Sequence, residues 1–358
     1  MNRIFNIVKI IALTLLVLMV LLLLVWVLMS PGKIRTYSEP NSLSEKFVMD
    51  VNGAPNGFFI NSKDTGNPVL LFVSSGPGTD DYVFTDQYND MQLEDYYTVV
   101  YWDYRHMGIA YDRNADVSGI TLENLLNDTY SVTEYLKKRF NKDKIYIMGF
   151  SGGTHIALRE AQRHPENYYA YIGMAQCVTD SPENDTLMYD FMKKEFIGRG
   201  QDNNLKRLEA SVDHIEGDIV KCKDWYEYVN LLHDAGGGTI RGKSEFAGIA
   251  WPIITCRCYT VFEKINYITA MKMYRTAPLS KEIDNFDYRN TITHLSIPAF
   301  FISGEYDYNC PWELVEKYCK VLDAPDKAFY KIKRSAHSPL WENAKDSMEV
   351  MKKIREMT

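Results

Sequence analysis

At 358 residues, with 46% hydrophobic and 24% charged side chains, the chain is long enough for one large α/β domain with an insertion, and its composition excludes a disordered protein. A formal net charge of -7 provides no basic face of the kind that nucleic-acid binders carry, so no nucleic-acid partner is expected. Cys177, Cys222, Cys256, Cys258, Cys310 and Cys319 are too irregularly spaced for a disulfide framework, and Cys256-x-Cys258 lacks the gap and second ligand pair of a zinc site; neither metal nor cofactor is implied.

The first element is the uncharged run 10–29, rich in leucine and valine. At about 1.5 Å per residue it crosses a hydrocarbon core of about 30 Å. It reads as a transmembrane anchor between a short tail, 1–9, and a linker, 30–43. A cleaved signal peptide fits less well, since the run exceeds a typical apolar region and no small-x-small site precedes Ser30-Pro31-Gly32. Trp26 suits the interfacial aromatic belt. Arg3 and Lys9 before the span nearly match Lys33 and Arg35 after it, and the expectation is a single-pass protein with a cytoplasmic tail and an extracytoplasmic catalytic domain.

After the linker, alternation over 47–51 and the apolar run at 57–60 predict an antiparallel strand pair. Residues 69–73, 98–102 and 144–150 are continuous apolar runs, as expected of strands buried on both faces of a mostly parallel sheet. Between the last two, Leu122, Leu125, Leu126, Thr129, Val132, Leu136 and Phe140 mark an amphipathic helix with Thr121 as N-cap. Strand, helix, strand at this spacing implies a right-handed crossover. A helix over 154–163, strands over 171–177, 299–303 and 328–332, and a C-terminal helix over 340–357 complete the α/β pattern. The interval 179–296 breaks it, with helix-like runs at 190–198 and 224–233, and reads as a helical cap inserted between core segments 44–178 and 297–358. Its aromatic residues Trp225, Tyr226, Tyr228, Trp251, Tyr259, Phe262 and Tyr267 are expected to form the cap's own core.

Chemistry concentrates at Gly149-Phe150-Ser151-Gly152-Gly153, a G-x-S-x-G sequence between a strand and a helix. A serine on so sharp a turn needs small residues two places either side, because a Cβ there would collide with neighbouring backbone. Serine is a weak nucleophile until a histidine takes its proton, and that histidine needs an acid to hold its tautomer. In strand-turn-helix hydrolases the chain order is serine, acid, histidine. Asp307 follows the strand at 299–303 and His337 the strand at 328–332, so both sit at carboxyl ends of parallel strands, where open α/β sheets place their sites. His155 lies one turn past Ser151 and is expected to pack inside its helix. The oxyanion donors are expected to be the amides of Gly152 and Gly76, with Ser75 next, the latter two in the loop Ser74-Ser75-Gly76-Pro77-Gly78.

That loop resembles the H-G-G-P-G motif of the prolyl iminopeptidase branch of the α/β-hydrolases. Trp102-Asp103-Tyr104-Arg105-His106-Met107-Gly108 is similar to the branch's W-D-Q-R-G-x-G segment, and 304–311 to its acid loop. The likeness spans roughly 56–354 and is weak across the cap. It implies an α/β-hydrolase fold and a serine aminopeptidase acting, without cofactor, on short peptides or amino-acid amides with a free N-terminus. Ser74, Ser75 and Gly152 depart from the pattern, since the branch has His and Gly at the first two places and commonly tryptophan at the third. Cap glutamates bind the substrate amine in that branch; here Glu263 and Glu245 are candidates by composition only.

Two alternatives accompany this reading. A carboxylesterase or lipase acting on small or membrane-derived esters would suit an aromatic cap. A non-catalytic or nucleotide-binding protein is the other, since 237–244 formally fits the phosphate-loop pattern G-x-x-x-x-G-K-[ST] ending in Lys243 and Ser244. That loop should follow a buried parallel strand, whereas a helix-like run precedes it, so it reads instead as a glycine-rich cap loop.

Overall fold

A computed structural model describes residues 2–76, 78–88 and 90–358. The chain opens with the helix Asn2–Met29, whose stretch Ile4–Met29 has mean hydropathy 3.2 and is long and apolar enough to cross a membrane; the most apolar part of it touches nothing that would bury it. The sheet then begins with β1 (Leu43–Val51) and β2 (Ala54–Ser62), joined at Asn52-Gly53. Both turn residues have positive φ, 52° and 78°, as a two-residue hairpin matched to strand twist requires.

Next come β3 (Val69–Val73), β4 (Thr98–Asp103), β5 (Ile145–Phe150) and β6 (Tyr168–Met174). The interval after β6 holds a separate hairpin, β7 (Val212–Glu216) and β8 (Ile219–Cys222), and the sheet resumes with β9 (Ala299–Gly304) and β10 (Lys327–Ile332). Its eight strands run in the order β1-β2-β4-β3-β5-β6-β9-β10, antiparallel at β1/β2 and β2/β4 and parallel from there on.

Every residue of β3, β4 and β5 is buried, because helices cover both faces. The crossover helix Leu122–Phe140 lays Leu125, Leu126, Val132 and Leu136 on the core; burying each such side chain contributes about 1.5–3 kcal/mol. Thr121 caps it by accepting the Asn124 amide, Asn141 closes it in the left-handed conformation, and Lys137, Lys138 and Arg139 complement the dipole in its last turn.

Some boundaries differ from the sequence reading. The strand expected at 171–177 is β6, which starts three residues earlier, at Tyr168. The expected C-terminal helix is two, Pro339–Glu342 and Ala344–Met357, because Asn343 leaves helical geometry to cap the second. The interval 179–296, expected to be a helical cap, contains a hairpin besides helices, and its buried residues fall into two groups. Residues 188–235 gather a small core of their own around Met188, Met192, Phe196, Tyr228 and Leu231, whereas Tyr259, Tyr267, Tyr274 and Leu295 join the main core. Of the cap aromatics, Tyr228, Tyr259 and Tyr267 are buried, but Trp225, Tyr226, Trp251 and Phe262 are exposed, with Trp225 at the cavity beside Ser151 and Tyr226 under the Arg275 guanidinium.

Candidate active site

Ser151 directly follows β5 at φ +50°, a left-handed backbone that leads into the helix Thr154–Arg163. Such a conformation is costly for a non-glycine residue and is held by its surroundings. The flanking positions are tightly constrained. A Cβ on Gly149 would lie 2.8 Å from Thr154 Cα, and one on Gly153 2.2 Å from the carbonyl oxygen of Val73.

Two further strand ends bring their side chains to the serine. Ser151 Oγ lies 2.8 Å from His337 Nε2, and His337 Nδ1 lies 3.0 Å from Asp307 Oδ1. The same Asp307 oxygen accepts the Cys310 amide at 2.9 Å. A carboxylate acceptor fixes the proton on Nδ1, which leaves Nε2 free to accept from the serine hydroxyl. Burial alone would lower the His337 pKa. The charge of Asp307 and its hydrogen bond outweigh burial, and the net shift is upward from 6.5.

The loop carrying His337 is held by a residue that sequence patterning does not reveal. Glu342 Oε1 accepts the amides of Ala336 at 2.9 Å and Ser338 at 3.1 Å, one on each side of the histidine. Its other oxygen accepts the Arg241 amide at 2.7 Å, and the His337 amide donates to Gly238 O at 3.3 Å. Burial pushes Glu342 up to about 7 against these donors. The glycine-rich stretch 237–244 therefore docks on the histidine loop, and Lys243 Nζ donates to Tyr88 at 2.8 Å. A buried parallel strand does not precede it; the helix Trp225–Ala235 does.

The loop after β3 approaches the serine from the other side. Asp81, wholly buried, accepts the Ser75 amide at 2.6 Å and the Ser75 hydroxyl at 2.7 Å. The Ser75 amide is thus engaged, whereas Gly76, at φ +105°, lines the cavity beside Ser151 and Gly152. Burial pushes Asp81 up to about 7, opposed chiefly by the two Ser75 donors. Gly152 is fixed by contact: a Cβ there would lie 1.4 Å from Gly76 O, which explains why no larger side chain stands at this position. Pro77 lies outside the described residues.

The cavity beside Ser151 has a volume of about 240 Å³. Val178, Phe286, Pro311 and Leu314 give it apolar walls, and Thr179, Asn184 and Asn309 add polar ones. Asp180 is the single carboxylate among the described lining residues, and neither lysine nor arginine lines it. His155 also reaches this wall, with Nδ1 2.6 Å from Tyr288 Oη and its ring edge-on to Phe286. Cys177 and Cys310 lie there too, with sulfurs 3.7 Å apart; donation from Cys310 holds the Cys177 thiol well below its ordinary value.

Glu263 and Glu245 do not line this cavity. Glu263 completes a capping box with Thr260 and pairs with Lys46 at 2.8 Å, and Glu245 is exposed before the turn Phe246–Ala250. The W-D-Y-R segment is likewise internal framework. Trp102 Nε1 donates to Asn56 at 2.8 Å, Asp103 Oδ2 accepts the Ile109 amide at 2.9 Å, and Arg105 pairs with buried Asp128 through two contacts of 2.7 Å.

No protein-family model matches the chain. It is 27% identical over 308 residues to the probable aminopeptidase YbaC of Bacillus subtilis (strain 168), covering 84% of this chain and 93% of that protein. Among solved structures it resembles the proline iminopeptidase-related protein from Thermus thermophilus, with a TM-score of 0.57, 16% identity, and coverage of 87% of this chain and 97% of the other. The proline iminopeptidase of Mycobacterium smegmatis gives 0.58 and 14%, covering 87% and 98%. A thermophilic esterase from Thermogutta terrifontis gives 0.52 and 15%, covering 87% and 100%. The chain has the α/β-hydrolase fold, a mostly parallel eight-stranded sheet flanked by helices, with one apolar helix at the N-terminus long enough to cross a membrane.

Proposed function

We propose that this protein is a membrane-anchored serine hydrolase that works through an acyl-enzyme, with Ser151 as nucleophile, His337 as general base and acid, and Asp307 as its orienting partner. The observation that carries the proposal is the continuous chain of contacts from Ser151 Oγ through His337 to Asp307, at 2.8 and 3.0 Å. Attack on a carbonyl carbon moves the serine proton to Nε2, and His337 then delivers it to the leaving group. Water, deprotonated by the same nitrogen, releases the acyl group. The amides of Gly152 and Gly76 receive the oxyanion, and no cofactor enters these steps.

The substrate class we favour is a short peptide or amino-acid amide with a free N-terminus. Likeness to a probable aminopeptidase and to proline iminopeptidases supports it, as does a cavity whose described lining residues include one carboxylate and no lysine or arginine. The apolar walls and the esterase neighbour support ester hydrolysis as the second reading. The helix Asn2–Met29 would hold the catalytic domain outside the cytoplasm.

The test has two arms. A fluorophosphonate probe is expected to label the wild type at Ser151 and to leave Ser151→Ala unlabelled; labelling of another serine, or of none, removes the mechanism. Proline amides with free and blocked amino groups then separate the substrate classes. Preference for the free amine supports the peptidase, and equal turnover or faster ester cleavage supports the esterase.

A further inference from the structure

The N-terminal helix does not leave the domain on a loose tether. Trp26 Nε1, in its last turns, donates to Ile254 O at 2.8 Å. Lys264 Nζ donates to Ser30 Oγ at 2.7 Å and to Ile254 O at 2.8 Å, and the Ser30 side chain is buried. Pro31 then forms a bridge with Thr260, and the Lys33 amide donates to Arg257 O at 2.9 Å. These contacts clamp the end of the helix to the cap helices Trp251–Thr255 and Val261–Thr276. If the helix spans a bilayer, the membrane surface must lie at this junction.

The chain segment that supplies the clamp partners Ile254, Arg257, Thr260 and Lys264 also carries a concentration of exposed apolar side chains. Beyond the N-terminal helix, fourteen large hydrophobic residues are exposed among the described residues, and five of them, Phe246, Trp251, Phe262, Ile265 and Ile268, fall within one stretch of 23 residues. Phe262 is 79% exposed. In the helix Val261–Thr276, Phe262, Ile265 and Ile268 occupy the outward face of the first half, next to the clamp, and exposed Lys272 and Arg275 follow in the second. Aromatic and aliphatic side chains at the acyl boundary, with basic ones further out, match the physical profile of an interfacial segment on anionic lipid.

We infer that the face formed by residues 246–268 rests in the interfacial layer of the bilayer that the N-terminal helix spans, so that the cap is seated on the membrane instead of being held away from it. The inference depends on the reading of Asn2–Met29 as an anchor, and it commits to lipid as the occupant because the clamp brings this face to the point of membrane exit.

The test uses the full chain reconstituted in vesicles of phosphatidylcholine and phosphatidylglycerol doped with a diazirine-bearing phospholipid, irradiated and mapped by peptide mass spectrometry. Lipid adducts are expected on residues 246–268 as well as on the N-terminal helix, with none at Val321, an exposed apolar residue outside this face. The double variant Phe262→Glu, Ile265→Glu, whose side chains are solvent-facing, is expected to lose adducts at 246–268 severalfold while labelling of the helix is unchanged. Adducts confined to the N-terminal helix would overturn the inference and leave the anchor standing. Absence of adducts from both would overturn it by removing the anchor, and amine-reactive cross-links joining Lys272 of two copies would overturn it in favour of self-association. Fluorophosphonate labelling of Ser151 in the same vesicles reads the proposed chemistry independently of all these outcomes.

Discussion

Asp307 Oδ1 faces His337 Nδ1 at 3.0 Å inside the protein, with the carboxylate wholly buried and the imidazole nearly so. The pair decides how the site responds to pH. Burial works against the imidazolium, but the neighbouring carboxylate works for it more strongly, and the histidine pKa rises above 6.5. A general base must be neutral to accept a proton, so kcat/KM is expected to rise with pH along a limb lying above the ordinary histidine value. In Asp307→Asn the limb should move down, and kcat should fall by about 10⁴ through loss of the productive tautomer. A pH profile of kcat/KM for both proteins checks this; coincident limbs would separate the rate from this pair.

The same shift has a sign in stability. Because the folded protein holds the His337 proton more tightly than the unfolded chain, this group's stabilisation is fully present below the unfolded value of 6.5 and is lost as pH rises through the higher folded one. The difference in unfolding free energy between wild type and His337→Gln should therefore shrink as pH is raised across that window. Urea titrations on either side of it measure the change, and a difference that grows with pH would reverse the assignment.

Gly152 stands where a Cβ would come within 1.4 Å of Gly76 O. Gly152→Ala must push the loop after β3 away from the serine, and both proposed oxyanion donors lie on the two sides of that contact. Loss of one such donor typically costs 10²- to 10³-fold in kcat, and about that reduction is expected here, with the domain still folded by circular dichroism. An unchanged kcat would place the oxyanion elsewhere.

Glu342 tests whether the histidine loop needs its cradle. Glu342→Ala frees the amides of Ala336 and Ser338, and kcat should fall about tenfold or more as His337 loses its fixed approach to Ser151, while KM changes little. Glu342→Gln keeps a carbonyl acceptor at this place and should recover much of the loss. Failure of glutamine to rescue would mean that the charge, or the bond from the Arg241 amide that a glutamine Nε2 cannot accept, matters beside the two loop bonds.

The parts of the fold legible in the sequence were those where one physical demand acted on contiguous residues. Runs 69–73, 98–102 and 144–150 are largely apolar because both faces of those strands are covered, and Ser151, Asp307 and His337 follow the ends of β5, β9 and β10 in chain order. The hairpin β7/β8 was not legible, since only Val212 and Val220 are buried in it and the other positions face outward or lie half covered. Glu342, Asp81 and Asp180 gave no signal either. Each is a single acid whose role depends on the folded geometry, as with Glu342 and an amide 101 positions away at Arg241. The Glu263 candidacy failed for a related reason: composition does not distinguish a cap acid facing substrate from one closing its own helix with Thr260.

Asp180 carries the last prediction, on specificity. Its Oδ2 accepts the Asn285 amide at 3.2 Å, and the residue lines the Ser151 cavity at its exposed edge. Among the described residues lining that cavity, an ammonium group would meet this one carboxylate and no lysine or arginine to oppose it. Asp180→Asn retains an acceptor for Asn285 but removes the charge. If the substrate amine is held here, kcat/KM for a free-amine proline amide should fall about 10-fold or more, consistent with about 1.5–3 kcal/mol for a hydrogen bond to a charged group. Turnover of the same amide with a blocked amine should not change, because it brings no charge to the site. Equal effects on both substrates would make Asp180 a wall residue of the cavity, and the amine would then have to be recognised by a group outside it.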